Sequence, residues 1–554
     1  MTRGLYIAAA SMLAASLSVV LGLSAASGSA RPTGPAGDGR TATPITHVVV
    51  VFQENVSFDH YFGTYPRALN PAGEPRFAAR PGTPTVNGLS GALLASNPNL
   101  SNPQRLDRSQ ALTCGPSNNY TREQTAADAG RMDNFVAGTG GGTTLAQCLA
   151  SVGDTAPVTG PSPNYDVMDY YDGNTVTALW NYAQHFAMSD NSYGTSFGPS
   201  TVGALNLVAG NTYGATCGDS SHVYSNGGVT VPACPAGPPA ARAGTPAGTG
   251  TVYGDSDPLY DGCSAGSTIA MGGRNVGDLL NARKITWGWF QGGFAPSSRT
   301  SAGQPVCGAE HKIINGTQEI DYSAHHEPFQ YYPQTANPLH RPPSSVAMIG
   351  RTDQANHQYD LSDFWAAAQA GHLPAVSFLK APRAGDAHSG NSDPLDEQQF
   401  LVATINRLQA LPAWHSTAVI IAYDDSNGWY DHQSSPLVTQ SQTAVDALTG
   451  TGTCGTQASA VPLTGAGQPE QARCGLGPRL PLVVISPYAK ADFVDHAVTD
   501  QSSILKFIED NWRLPRLGNG SADASAGSLA SLFNFRAPRN RPLYLDAQTG
   551  EPAR

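Results

Sequence analysis

The residues of this chain that could do chemistry lie in a few short polar strings. Glu54-Asn55 follows the apolar run Ile45 to Phe52 (ITHVVVVF), and Asp424-Asp425 follows Thr417 to Tyr423 (TAVIIAY). Three carboxylates and an amide converging on one edge suit a hard divalent cation better than a soft one, because hard cations take oxygen ligands. The same residues also build turns: Asp424-Asp425-Ser426-Asn427-Gly428 is turn-prone, and Asn55 could cap a helix. Gly198-Pro199-Ser200-Thr201 precedes the apolar run Ala204 to Ala209, which places Ser200 where a helix would begin. Backbone N–H groups and the helix dipole there favour an anion, whether a serine alkoxide or a bound phosphate, although a plain capping serine would read the same. An overlapping string, Gly194-Thr195-Ser196-Phe197-Gly198, satisfies the G-x-S-x-G elbow of serine carboxylesterases. That elbow must follow a buried strand, and Met188 to Tyr193 reads as too polar for one. His325-His326 and His388 sit in loop-like strings, where an imidazole could clamp an oxyanion or give a proton to a leaving group; a lone histidine is more often a filler. His326-Glu327 does not continue to H-E-x-x-H, and no G-x-x-x-x-G-K-[ST] is present, so a zincin and a P-loop enzyme are excluded.

Strands are needed to hold these groups at a common edge. Ile45 to Phe52 is a near-continuous β-branched run, the pattern of a central strand covered on both faces in a mostly parallel sheet flanked by helices. Ala375 to Leu379, Thr417 to Tyr423 and Leu480 to Ser486 read alike. Asp396 to Leu411 and Ser502 to Trp512 carry apolar residues at helical spacing, so the alternation predicts an α/β layered sheet with functional groups at the carboxyl ends of its strands. On this reading Asp424 and Asp425 sit at a sheet edge facing solvent. Long Gly/Pro/Ser/Thr tracts at about 211–275 and 434–475 read as surface insertions.

The first thirty residues have the build of an export signal: Arg3, an apolar run from Leu5 to Leu23, then Gly28-Ser29-Ala30. Cleavage after Ala30 leaves 31–44 as a flexible mature N-terminus and no stable membrane span. Eight cysteines behind such a signal predict disulfides that staple loops. Proximity favours Cys454 with Cys474, and less firmly Cys263 with Cys307. With 13% charged residues, a net charge of -11 and lysine only at positions 284, 312, 380, 490 and 506, no basic cluster exists, which argues against nucleic-acid binding. The 554 residues suffice for one large α/β domain with insertions.

Taken together, five strings resemble the bacterial acid phosphatase/phospholipase C phosphoesterases, related in fold to the alkaline phosphatase superfamily. They are Glu54 to Pro66 (ENVSFDHYFGTYP), Phe197 to Thr201 (FGPST), His325 to Tyr332 (HHEPFQYY), Asp424 to His432 (DDSNGWYDH) and Ser486 to Lys490 (SPYAK). The resemblance implies one phosphoesterase domain over residues 45–546, followed by a tail at 547–554. It also implies a serine nucleophile at Ser200 that touches one divalent metal ion, with Glu54, Asn55, Asp424 and Asp425 as the other ligands. His325, His326 and His388 are implied to bind phosphoryl oxygens and assist the leaving group, and a phosphoserine would be hydrolysed by water. Two positions depart from the pattern: Asn118 stands where a histidine is expected, and an amide cannot be a general acid; Val202 stands where proline is frequent.

The expected protein is thus a secreted or periplasmic, metal-dependent phosphoric-ester hydrolase of the phospholipase C or acid phosphatase type, acting on a phospholipid or a small phosphomonoester. The chain closes soon after Leu543 to Asp546, and the further expectation is that it lacks the carboxyl-terminal β-modules of some family phospholipases. The rivals are a serine carboxylesterase using Ser196 and an inactive binding protein on the same scaffold.

Overall fold

The β-branched run after Thr46 forms strand β1 (His47–Gln53), with Val48 to Val51 fully buried. Among the described residues seven further strands join its sheet: β2 (Ala187–Ser189), β3 (Trp287–Gln291), β4 (Gln358–Asp360), β5 (Val376–Lys380), β6 (Thr417–Tyr423), β7 (Leu482–Ile485) and β8 (Phe493–Asp495). Their spatial order is β4-β3-β5-β1-β6-β7-β2-β8. The computed structural model describes residues 40–553 apart from 154–155, 157, 159–162, 218–222, 227–228, 233–249, 253, 266–267, 439–447, 451–452, 455–473 and 540. The segment 1–30 and much of both insertions therefore lie outside the described residues. Of the segment 31–44, residues 40–44 are described, and there Ala42 N and Thr43 Oγ1 bond Asn511 at 2.7 Å each.

The pairings are parallel except those of β7, which is antiparallel to both β6 and β2. The reading of Leu480 to Ser486 as one more parallel-type strand is corrected in direction: an apolar run reports burial on two faces and carries no information on orientation. Helices flank the sheet: α1 (Phe58–Phe62), α2 (Tyr120–Ala127), α3 (Thr177–His185), α4 (Ser200–Ala209), α5 (Pro394–Gln409) and α6 (Gln501–Trp512). The start of α5 lies two residues before the expected one because Asp393 caps it, accepting from Leu395 N at 2.7 Å and Asp396 N at 2.9 Å, with Pro394 in the first turn. Asp500 caps α6 in the same way, and its apolar stripe Ile504, Leu505 and Ile508 is fully buried. Helix α4 packs on α6, and α3 on α5 and β7.

Disulfides join Cys114 to Cys148 and, as proximity favoured, Cys263 to Cys307. Cys474 is also disulfide-bonded; the side chain of Cys454, its expected partner, is not among the described side chains. Among the described residues no helix is long and apolar enough to cross a membrane.

Candidate active site

Strand register brings the two acidic strings together. In the parallel pair β1/β6, Gln53 lies opposite Tyr423, so Glu54 and Asp424 leave neighbouring strands at the same level. The backbones stay joined there, Asp424 N donating to Gln53 O at 3.2 Å and Asn55 N to Asp424 Oδ1 at 3.2 Å. Asn55 turns the chain with φ of 57°, a left-handed conformation that asparagine tolerates better than most residues. Helix α4 reaches the same edge because Gly203 has no side chain: a Cβ there would lie 2.0 Å from Asp424 O.

Ser200 is the first residue of α4, whose cap is Pro199, so the capping-serine reading does not apply. Its Oγ instead faces oxygens: Asp425 Oδ2 at 3.0 Å, Glu54 Oε2 at 3.1 Å and Asn55 Oδ1 at 3.3 Å. Asp425 also serves its turn, accepting from Asn427 N through Oδ1, so the turn reading of Asp424 to Gly428 and the ligand reading are compatible. Contrary to the expectation of a solvent-facing edge, Asp424 and Asp425 are each only 2% exposed. The flanking helix and the loops over the strand ends cover them.

His388 orients the Asn55 amide. Burial holds the imidazole below its ordinary value, so it is neutral, and its Nδ1 lies 2.7 Å from Ser389 O. That carbonyl fixes the proton on Nδ1 and leaves Nε2 an acceptor, 3.0 Å from the amide end of Asn55 that points away from the carboxylates. With the amide nitrogen donating to His388, Asn55 Oδ1 lies 2.7 Å from both Glu54 Oε2 and Asp424 Oδ1, and 3.2 Å from Asp425 Oδ2. An amide oxygen surrounded by acceptor oxygens suits a hard cation, so the donor set fits the expected ion. Rotating the amide would turn these contacts into hydrogen bonds but would set its oxygen against a histidine nitrogen with no proton to offer.

Three buried carboxylates meet one buried ammonium. Lys380 ends β5; its Nζ contacts Glu54 Oε1 and lies 3.6 Å from Asp424 Oδ2. Burial alone would raise the Glu54 carboxyl, but the positive charge beside it, carried by the Lys380 ammonium, holds it well below the usual range. Burial and the Glu54 charge push Asp424 and Asp425 well above theirs. His326 Nε2 is 3.3 Å from Glu54 Oε1, and burial keeps its imidazole well below the ordinary value. Glu54, His326 and Asp386 offer ligand atoms within 4.8 Å of one another, a grouping that brings in Asp386, which the expected ligand set omits.

His325 behaves differently from its neighbour. Burial lowers its proton affinity, yet Asp257, Asp255 and Glu54 outweigh burial and raise it above the ordinary value. Asn118 donates from Nδ2 to Asp425 Oδ2 at 3.2 Å and so steadies the oxygen nearest Ser200 Oγ. Five residues on, Glu123 in α2 accepts from Gly198 N at 2.9 Å and from Ser426 Oγ at 2.8 Å, tying the serine loop to the aspartate loop. The N–H of Thr201, expected to await an anion, is held by Asp255 Oδ1 at 3.0 Å. Ser196 stands apart: its Oγ accepts from Asn206 Nδ2 at 3.3 Å, in a loop after strand β2, whose Met188 and Ser189 had read as too polar for a strand. Lys380, Asp386, Glu123 and Asp255 escaped the sequence reading; only Lys380 and Asp386 carried a signal, the first by following an apolar strand and the second by lying two residues before His388.

A family model described as the phosphoesterase family matches residues 45–515. The chain belongs to the phosphoesterase family. It is 26% identical over 525 residues to a non-hemolytic phospholipase C of Burkholderia pseudomallei, which covers 90% of this chain and 60% of the relative. It is 31% identical over 185 residues to a non-hemolytic phospholipase C of Pseudomonas aeruginosa, covering 31% of this chain and 25% of the relative. Phospholipase C A of Mycobacterium tuberculosis is 31% identical over 180 residues, 32% of this chain and 33% of the relative. The chain thus spans a quarter to three fifths of the length of these relatives.

Proposed function

We propose that this phosphoesterase-family protein is an exported phosphoric-ester hydrolase that attacks phosphorus through Ser200 with the help of one divalent cation. The observation that carries the reading is the ring of acceptor oxygens around Ser200 Oγ at 3.0 to 3.3 Å, with the Asn55 oxygen turned into it. Glu54, Asn55, Asp424, Asp425 and Ser200 would hold the cation, which when bound supplies positive charge against the serine and phosphate oxygens. The phospholipase C relatives favour a phospholipid substrate, and a small phosphomonoester is the other member of the same chemistry. The sheet with its site at the strand ends accords with an alkaline phosphatase-like arrangement. The apolar leader and the disulfides support a secreted or periplasmic location.

Asp425 Oδ2, at 3.0 Å the nearest acceptor to Ser200 Oγ, is placed to take the serine proton once its carboxylate is held ionised by the cation. The Oγ–P bond forms as the bond from phosphorus to the leaving oxygen breaks, and His325, held protonated by its acidic neighbours, gives that oxygen a proton. Water then displaces the serine from phosphorus, its proton passing to the imidazole and the serine oxygen regaining its own. His326 and His388 stay neutral, His388 by orienting Asn55. Ser200→Ala should lower turnover of a chromogenic phosphoester by about 10³-fold or more, whereas Ser196→Ala should keep most of it. Acid-quenched protein should carry a phosphate on the peptide holding Ser200. A phosphate-free Ser200 peptide, with activity lost on changing Ser196, would move the protein to the carboxylesterases.

A further inference from the structure

A cavity of about 300 Å³ opens beside the aspartate loop. Its walls share backbone with the site. Ser117, on the wall, precedes Asn118, whose amide holds Asp425; Ser117 N bonds Thr139 O at 2.9 Å, and Thr139 Oγ1 donates to Gly428 O at 2.7 Å. Gly428 permits this approach, since with φ of 77° a Cβ there would lie 2.5 Å from Ser117 O. Asp166, only 2% exposed, also lines the cavity. Its Oδ1 accepts from Val167 N at 2.9 Å. The neighbour of Oδ2 is Cys114 Sγ at 3.2 Å, and that sulfur is bound to Cys148, so it has no proton to donate. A buried carboxyl oxygen without a donor is costly, and the cavity is where a donor can come from. Burial pushes this carboxyl up to about 7 although the N–H groups of Val167 and of Asp166 itself favour its charge, so the backbone support on hand falls short of what burial costs.

The rest of the lining narrows the chemistry. Arg122 also lines the cavity, one guanidinium nitrogen donating to Gly138 O at 3.1 Å, which leaves other N–H groups for an acceptor. Among the described residues no aromatic ring lines the cavity, so a trimethylammonium group would find there neither a π-face nor, lacking N–H, a bond to Asp166. The volume suits a small polar group rather than an acyl chain.

We propose that this cavity is the subsite for the polar organic substituent of the phosphate, and that it selects a primary ammonium group over a trimethylammonium group through Asp166. The assignment rests on the phosphoesterase reading of the neighbouring site. Calorimetric binding to the Ser200→Ala protein at mildly alkaline pH, with phosphorylethanolamine and phosphorylcholine as probes, tests it. Phosphorylethanolamine should bind about tenfold more tightly, and adding Asp166→Asn, which keeps the bond to Val167 N, should bring the two within about twofold. Equal affinities, or no binding of either probe, in the protein with Asp166 intact would overturn the proposal, and that measurement needs no change in the cavity. Turnover of a chromogenic phosphoester by the unmutated protein, run alongside, tests the phosphoesterase reading separately. Turnover without discrimination sinks the subsite alone, and discrimination without turnover sinks the hydrolase alone.

Discussion

Two buried charged clusters are built from the same two strings, and they are charged in opposite ways. Glu54 to Asp59 and Asp424 to His432 each send one end to the Ser200 site and the other to a cluster around Arg479. At the Arg479 end every charge is answered. Asp59 Oδ1 accepts from Arg479 Nη2 at 2.9 Å, and its Oδ2 from His432 N at 2.8 Å and Nδ1 at 2.5 Å. Asp431 Oδ2 accepts from Arg479 Nε and from Asp59 N, both at 3.1 Å. The guanidinium also reaches Asn87 O at 2.7 Å and Asp190 O at 3.0 Å and lies over the Phe58 ring at 4.3 Å. At the Ser200 end three carboxylates face one lysine, and two of them are forced toward their protonated forms. Although Asp59, Asp431 and His432 offer ligand atoms close together, Arg479 already fills the place a cation would take. The closed cluster clamps the two strings, and the clamp lets the open cluster keep an excess of charge for a ligand.

Breaking the clamp should have the largest effect on folding. Arg479→Met strands Asp59 and Asp431 in the interior, and removing one partner of a buried ion pair costs about 3 to 5 kcal/mol. The denaturation midpoint should fall accordingly, while the activity of molecules that remain folded survives. Breaking the open cluster should do the reverse. Asp425→Asn removes the oxygen nearest Ser200 Oγ and should cost about 10² to 10³ in rate, together with most of the bound divalent metal. In chelator-treated protein the same change should leave the melting temperature equal or higher, because it removes a charge that nothing there balances. A large loss of stability on Asp425→Asn would mean that both clusters are structural.

The contrast explains what could be read from sequence. Strands β1 and β6 were legible because seven-residue β-branched runs have few other uses; β2, β4 and β8, three residues each, carry too little pattern to separate from loop. Glu54 and Asp424 were legible as strand-end oxygens, but their level pairing depends on the β1/β6 register, which no local pattern encodes. Lys380 hid because a lysine closing an apolar strand ordinarily marks its exit to solvent; β5 instead delivers it beside Glu54. Glu123 lies in a short, weakly patterned helix, and its role exists only because the Gly198 and Ser426 loops meet there. The string around Asp431 and His432 helped to mark the family, and its physical part is to clamp.

A smaller and sharper change concerns position 118. Asn118 already supports Asp425, so Asn118→His adds a titratable donor where an amide now serves. If protonation of the leaving group limits the rate, poor leaving groups should gain on the order of 10² and good ones little, read from kcat/KM over a series of aryl and alkyl phosphoesters. A uniform change across the series would leave position 118 a positioning role alone.

The smallest expected effect is a pH slope that belongs to the clamp and to no catalytic group. Burial lowers the His432 imidazole, but Asp59 and Asp431 outweigh burial and raise it above the ordinary value, with Arg479 opposing. The folded protein therefore holds this proton more tightly than the unfolded chain does. The stabilisation is complete below the unfolded imidazole value, about 6.5, and is lost as pH rises through the raised folded value. Asp59 runs the other way: burial raises its carboxyl, His432 and Arg479 outweigh burial, and its contribution is lost only as pH falls through the lowered folded value. Asp431 acts below this range: burial raises its carboxyl to about 6 although Arg479 opposes, so the stability it costs builds up as pH rises toward that value and is constant on the alkaline side. Melting temperatures measured from about pH 6 to about pH 9 should decline on the alkaline side in the unmutated protein and decline less in His432→Gln, whose amide keeps a donor without a titrating proton. Equal slopes in the two proteins would assign the alkaline loss to other groups and leave the Arg479 ion pairs as the whole of the clamp.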